Sequence, residues 1–233
     1  MQLRKTVVSL ATAVLVIGGT TSATASDSAV TNAPTISITA LDACSAADLD
    51  NDRRLGPAAL PLFGAVGAEL FFYDRTGGQP RQQFLDTWWN PAARSGNGDW
   101  IFPPQNGYMI NADGTPIRTV TSLAPGQEID RFGGTGGGFL APKGLRYADR
   151  SIPPSNLDSS TDPAGCNYHV YRVLKTFSVY TGTVRPWFDQ PGNGQQYQLD
   201  GSLVPGAPAD GDLHVQWLLD HQYLEDEAHP KKL

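Results

Sequence analysis

"YHVYRVLKTFSVYTGTV", residues Tyr168–Val184, is the stretch on which the fold turns. Tyrosine, valine and threonine dominate it, and apolar residues partly alternate with polar ones. That is the pattern of extended chain, in which successive side chains face opposite ways. It reads as one long strand or two shorter ones. Upstream, Tyr108–Ile110 and Ile117–Val120 read as extended runs joined by the turn "NADGTP". Downstream, a Pro-Gly-Asn-Gly loop separates Phe188 from Tyr197. The stretch "DLHVQWLLDHQYLEDEAHPKKL" then places Leu213, Trp217, Leu218 and Leu224 at helix-compatible spacings, with Asp210 or Asp212 to cap the start. The chain carries 25 glycines and 18 prolines, and only 17% of its residues are charged. Together these predict a β-rich α+β protein with few helices rather than a helical bundle.

The chain begins like a secretory signal over residues 1–25. Arg4 and Lys5 precede an apolar run from Val7 to Ile17, too short to cross a membrane, and Ala23-Thr24-Ala25 offers a small-residue cleavage site. Secretion is the expectation. Losing Arg4 and Lys5 would take the formal charge from −6 to −6 − 2 = −8. Such an acidic chain is a poor partner for nucleic acid or an anionic membrane. Two cysteines remain, Cys44 and Cys166. In an oxidising compartment a pair of this kind forms a disulfide, although two unrelated thiols are the alternative.

Residues 26–40 are rich in serine, threonine and alanine and have no period, so they read as a leader. Asp48, Asp50 and Asp52 imitate the start of a calcium loop. Arg53 stands where the loop's glycine belongs and Ala59 where its last glutamate belongs, so an acidic turn is the better reading. Trp88, Trp89 and Trp100 suit a core or a seam better than a stacking site.

"DRFGGTGGGFLAPKGLRYADRSIPPSNL", Asp130–Leu157, concentrates the chemistry. Its glycines fit neither the dinucleotide fingerprint nor the phosphate loop of nucleotide hydrolases, because Phe139 or Ala141 stands where the third glycine should be and Lys143 precedes Gly144. Glycine backbones such as Gly137 and Gly138 can still approach an anion closely, and Arg131, Arg146 and Arg150 supply guanidinium forks suited to phosphate. Phe132 and Phe139 bracket the glycines as stacking faces. No serine-hydrolase or zinc-protease motif is present, and His169 reads as a strand residue. Glu225-x-Glu227 imitates the carboxylate pair of some ADP-ribosyl transferases but is expected at the end of a helix.

Taken in order, "DRFGGTGGGFLAPKG", "YADRSIPPSNL", "YHVYRV", "VRPWFDQPGNGQQY" and "LLDHQYL" resemble the tuberculosis necrotizing toxin (TNT) domain family of NAD glycohydrolases. The secreted fungal-type surface NADases are the members most similar in this respect. The resemblance runs from Asp99 to Leu224. It implies a compact TNT-like catalytic domain over residues 99–233, and an N-terminal extension, or thumb, within residues 26–98. It also implies hydrolysis of the nicotinamide–ribose bond of NAD, and of NADP, with no cofactor needed for the chemistry. Carried over by position, Arg131 is an active-site arginine and Phe132 and Phe139 are walls of the pocket. Arg150 is the pyrophosphate ligand, Trp187 supports the following loop, and Gln196, directly before Tyr197, is the catalytic glutamine. The fungal-type members further imply a homodimer and a structural calcium near the C-terminus, for which Asp220, Glu225 and Asp226 are candidates. A protein ADP-ribosyltransferase and a nucleotide- or glycan-binding surface protein are the competing readings.

Overall fold

A computed structural model describes residues 41–209 and 213–228. The expected signal peptide, the leader, the Asp210 and Asp212 caps and His229 lie outside the described residues. Tyr168–Val184 is two strands that are not neighbours. In chain order the strands are β1 (Trp89–Asn90), β2 (Asp99–Trp100), β3 (Thr119–Leu123), β4 (Glu128–Phe132), β5 (Phe139–Pro142), β6 (Tyr168–Val173), β7 (Phe177–Thr183), β8 (Gln195–Gln198) and β9 (Leu224–Asp226). β1 and β2 pair only with each other. The other seven form one antiparallel sheet in the order β3-β7-β8-β5-β4-β6-β9. The helices are short: α1 (Gly64–Glu69), α2 (Arg81–Trp88), α3 (Ala93–Gly96) and α4 (Val215–Asp220).

β5 joins the two halves of the sheet. Phe139 and Leu140 pair with Gln198 and Tyr197 of β8, while Ala141 and Pro142 pair with Asp130 and Ile129 of β4. Alternation decides what each half buries. In β7, Phe177 and Val179 point into a core shared with Ile129, Leu140 and Tyr171 and covered by Val215, Leu218 and Leu219 of α4. Phe132 of β4 faces the opposite way and packs with Tyr147, Leu157 and Leu70. Burying such a ring completely contributes about 2–3 kcal/mol.

The helix expected to run toward the C-terminus stops at Asp220. Gln222 then adopts a left-handed backbone (φ 59°), and Leu224–Asp226 turn back to pair with β6. Glu225 therefore sits on a strand rather than at a helix end. No aspartate caps α4 among the described residues. Its first amides instead donate to the carbonyls of Gly137 (3.0 Å) and Thr135 (2.9 Å) in the glycine loop.

Residues 41–100 pack against this sheet in two places. Leu70 and the Cys44–Cys166 disulfide join the cluster around Phe132. Phe84, Leu85 and Trp100 join Phe188 in a third cluster, with Trp88, Trp89 and Trp187 against it. The tryptophans are thus packing residues. The disulfide closes a separation of 122 residues, which in the chain-entropy model contributes about 4–5 kcal/mol.

Candidate active site

A cavity of about 480 Å³ opens where β5 passes from one half of the sheet to the other. Arg131, Phe132, Phe139, Arg150 and Gln196 all line it. Five of the expected site residues are therefore brought together from positions scattered over the chain. No carboxylate and no histidine is among the described residues lining it.

The two arginines stand in opposite electrostatic conditions. In "EIDRF" the alternation of β4 sends Asp130 and Phe132 to one face and Arg131 to the other. Arg131 reaches beneath the glycine loop, where Nε donates to the Gly134 carbonyl (2.9 Å) and Nη1 to the Phe139 carbonyl (2.6 Å). Its Nη2 has no partner and the side chain no carboxylate among the described residues, and burial pulls its proton affinity below the ordinary arginine value. Arg150 is neutralised. Nη1 donates to Asp130 Oδ1 (2.6 Å), and Nη2 to Glu69 Oε2 (2.8 Å) and to Asp130 Oδ2 (2.9 Å). Nε and Nη2 also donate to the Leu145 carbonyl. Arg150 was expected to hold pyrophosphate. Its side chain is 7% exposed, and the carboxylates and the carbonyl take up nearly all of its donors.

The glycine loop wraps the Arg131 guanidinium and meets the start of α4. A Cβ at Gly137 would stand 1.9 Å from Arg131 Nη2, and one at Gly138 would stand 2.7 Å from the Leu213 carbonyl oxygen. Glycine is required so that the loop can wrap the guanidinium and reach α4. Its carbonyls bind Arg131 and α4, and neither Gly137 nor Gly138 lines the cavity. Trp187 is also outside the lining. Its Nε1 donates to the Ile101 carbonyl (2.6 Å), which props the Phe102–Pro103 segment that does form a wall.

Gln196 is oriented by a bond from Nε2 to the Asn106 carbonyl (2.8 Å), which leaves its Oε1 as an acceptor. Gln195 also lines the cavity, but its amide donates to Thr181 Oγ1 (3.0 Å).

Other expected chemistry lies elsewhere. His169 pairs across the ladder with Arg131 and stacks on Tyr171, away from the cavity lining. Glu227 pairs with Arg172. Asp220 closes α4 and accepts from Gln216, while Glu225 and Asp226, adjacent on β9, face opposite ways. Asp50 pairs with Arg81 and Asp52 with Arg54. Among the described residues no group of three or more histidine, cysteine or acidic side chains is placed to hold a metal, so neither candidate calcium cluster assembles. No helix among them is long and apolar enough to cross a membrane.

Sequence reasoning passed over Asn106, Asp130, Tyr168 and Glu69. One signal for Glu69 was available: it is the only charged residue between Leu60 and Tyr73 in "LPLFGAVGAELFFYD", and a charge in an apolar run needs a buried partner.

Residues 122–226 match the family model described as Tuberculosis necrotizing toxin. A protein of Aspergillus fumigatus, conidial surface nicotinamide adenine dinucleotide glycohydrolase, is 44% identical over 146 residues. That match takes in 63% of this chain and 62% of the fungal protein, less than two thirds of the latter's length. Among solved structures, tuberculosis necrotizing toxin complexed with its immunity factor aligns over 63% of this chain and 71% of the toxin, at 20% identity and a TM-score of 0.47. A second, Rhs1-CT with its cognate immunity protein, aligns over 57% of this chain and 88% of its own, at 14% identity and a TM-score of 0.33. The likeness to the Tuberculosis necrotizing toxin family is therefore carried by residues 122–226, 105 of the chain's 233 residues.

Proposed function

We propose that the protein is an NAD glycohydrolase acting at this cavity, with water as the acceptor. The observation that carries the reading is the composition of the lining: two arginines, three phenylalanines and two glutamine amides, with no carboxylate or imidazole among the described residues. An ordinary glycosidase needs an acid to protonate its leaving group. Nicotinamide in NAD is already cationic and departs as a neutral base, so a cavity without an acid suffices. The fungal relative's name supports the same substrate.

Each residue then has a physical role. Arg131, the guanidinium without a carboxylate partner, holds the pyrophosphate. Phe132 and Phe139 flank the nicotinamide end and exclude bulk water. As the bond from ribose C1′ to the nicotinamide nitrogen breaks, its electron pair leaves with nicotinamide and the ribose takes on oxocarbenium character. A water oxygen adds to C1′ and its proton passes to solvent. Gln196 Oε1 accepts a hydrogen bond from that water or from a ribose hydroxyl. An amide is no base at neutral pH, so its contribution is orientation and electrostatics.

NADP is a second substrate in this reading, because the added phosphate lies on the adenosine ribose, remote from the bond that breaks. Secretion accords with the disulfide. The exposed Leu62, Phe63, Phe71 and Phe72 support a homodimer, which light scattering tests. The deciding experiment incubates the purified chain with NAD and measures free nicotinamide. None released ends the reading, and label from NAD left on protein replaces it with ADP-ribosyl transfer.

A further inference from the structure

Glu69, at the last position of α1, lies outside the residues matched to the family model, yet it is 4% exposed and touches Arg150, which lines the cavity. Its Oε2 accepts from Arg150 Nη2 (2.8 Å), and its Oε1 accepts from the Tyr168 hydroxyl (2.6 Å). The same hydroxyl stands 3.0 Å from Asp130 Oδ2, which also accepts from the Gly144 amide (3.0 Å). Four elements therefore meet in one buried network: α1 brings Glu69 and β4 Asp130 to the guanidinium, β6 brings Tyr168 to both carboxylates, and the 3-10 turn Tyr147–Arg150 brings Arg150 itself. The centre of that guanidinium lies 5.0 Å from the Phe132 ring, and the ring touches Tyr168 and Tyr147 on its other sides. The Cys44–Cys166 disulfide ties the N-terminal segment to the chain just before Tyr168.

We propose that Glu69 is a positioning residue of the active site: with Asp130 and Tyr168 it fixes the Arg150 guanidinium, and against it the Phe132 ring that walls the dinucleotide cavity. The inference rests on the reading of that cavity as the NAD site. It makes the N-terminal segment part of the catalytic architecture, since the family-matched residues alone lack one of the two carboxylates that hold Arg150.

The network has a charge problem that gives the inference a distinctive signature. Two buried carboxylates face one arginine. Burial and the neighbouring Asp130 push Glu69 up from an ordinary value of 4.5 to about 7, while Arg150 and Tyr168 pull the other way. A carboxyl group raised in the folded state favours folding while it stays protonated. Its contribution is complete below the unfolded value of 4.5 and is lost as the pH rises through about 7. Ionised Glu69 is drawn to Arg150 but is opposed by burial and by Asp130, and that net cost strains the network against which the Phe132 ring rests.

The test compares wild type, Glu69→Gln and Glu69→Ala by kcat/KM for NAD between about pH 5 and 9. Wild-type kcat/KM is expected to fall as the pH rises through about 7, the value to which Glu69 is pushed. Glu69→Gln, which keeps a neutral acceptor for Arg150, is expected to stay within about threefold of the acid plateau and to lack that inflection. Glu69→Ala is expected to lose about tenfold or more. Superimposable wild-type and Glu69→Gln profiles overturn the proposal, as does an unchanged kcat/KM in Glu69→Ala. If Glu69→Ala does not fold, the Glu69→Gln profile decides. A wild-type chain that releases no nicotinamide removes the NAD reading instead. Melting temperature against pH then tests the network alone: wild type should lose stability between 4.5 and about 7 and Glu69→Gln should not. Equal slopes would overturn it.

Discussion

Arg131 and Arg150 face the same cavity from two regions built on opposite principles. Arg131 sits under a jacket of glycine backbone, held by two carbonyls, with its charge uncancelled by any carboxylate among the described residues. Arg150 sits among side chains, held by two carboxylates and a carbonyl, with its charge cancelled. A carbonyl orients a guanidinium without neutralising it, whereas a carboxylate does both. The first arrangement leaves the positive charge uncancelled, and the second cancels it in a buried brace.

The comparison breaks if the two arginines fail in the same way. Arg150→Ala would leave Glu69 and Asp130 buried without their cation, a change that destabilises by about 3–5 kcal/mol. Urea unfolding measures it, and the midpoint should fall sharply whether or not NAD is present. Arg131→Ala removes no buried ion pair. Its stability should stay within about 1–2 kcal/mol of wild type, the range of the two lost carbonyl bonds. Its kcat/KM for NAD should fall by about 10²–10³, the size expected when a donor aimed at the reacting ligand is deleted. A stable, inactive Arg150→Ala beside an unfolded Arg131→Ala would reverse the assignment.

Gly137→Ala sharpens the Arg131 side without touching the arginine. The new methyl would stand 1.9 Å from Nη2, so either the loop or the guanidinium must move. Overpacking of this kind costs about 1–3 kcal/mol. If Arg131 is the part that yields, kcat/KM falls with little change in melting temperature. If the loop yields, the cap on α4 is lost and the melting temperature falls as well. Gly134→Ala is the control, because a Cβ there meets nothing within 4 Å.

The extended chain in Tyr168–Val184 was legible because its tyrosines and valines alternate, and alternation follows from strand geometry alone. The sequence did not say that β6 and β7 lie in different halves of the sheet, because that depends on β4, β5 and β8 pairing between them. The helix expected to extend to Leu224 failed for a related reason. Leu224 suits a helix stripe and a strand equally, and pairing with β6 decided between them. Arg131, Phe132, Phe139 and Gln196 could be picked out as candidates because their neighbours in sequence mark them, and all four line the cavity. The fate of Arg150 could not, since one of its carboxylates comes from Glu69, 81 positions away. Spacing within "DRFGGTGGGFLAPKG" suggested an anion loop, and glycine does permit close approach there. What approaches is the protein's own arginine.

Tyr168→Phe is the finest probe of the brace. The hydroxyl lies within hydrogen-bond distance of both Glu69 and Asp130 and has one proton to give them. Removing it keeps the ring against Phe132, so packing should persist and stability should drop by only about 1–2 kcal/mol. The informative change is in pH. That hydroxyl favours ionised Glu69, and its loss leaves burial and Asp130 less opposed. The Glu69 inflection should therefore move above 7, and the pH range over which its protonation stabilises the fold should extend upward with it. Thermal melts of wild type and Tyr168→Phe across that range read the shift directly. An inflection that stayed in place would mean that the hydroxyl gives its proton to Asp130 alone, and that the two carboxylates hold Arg150 independently rather than as one network.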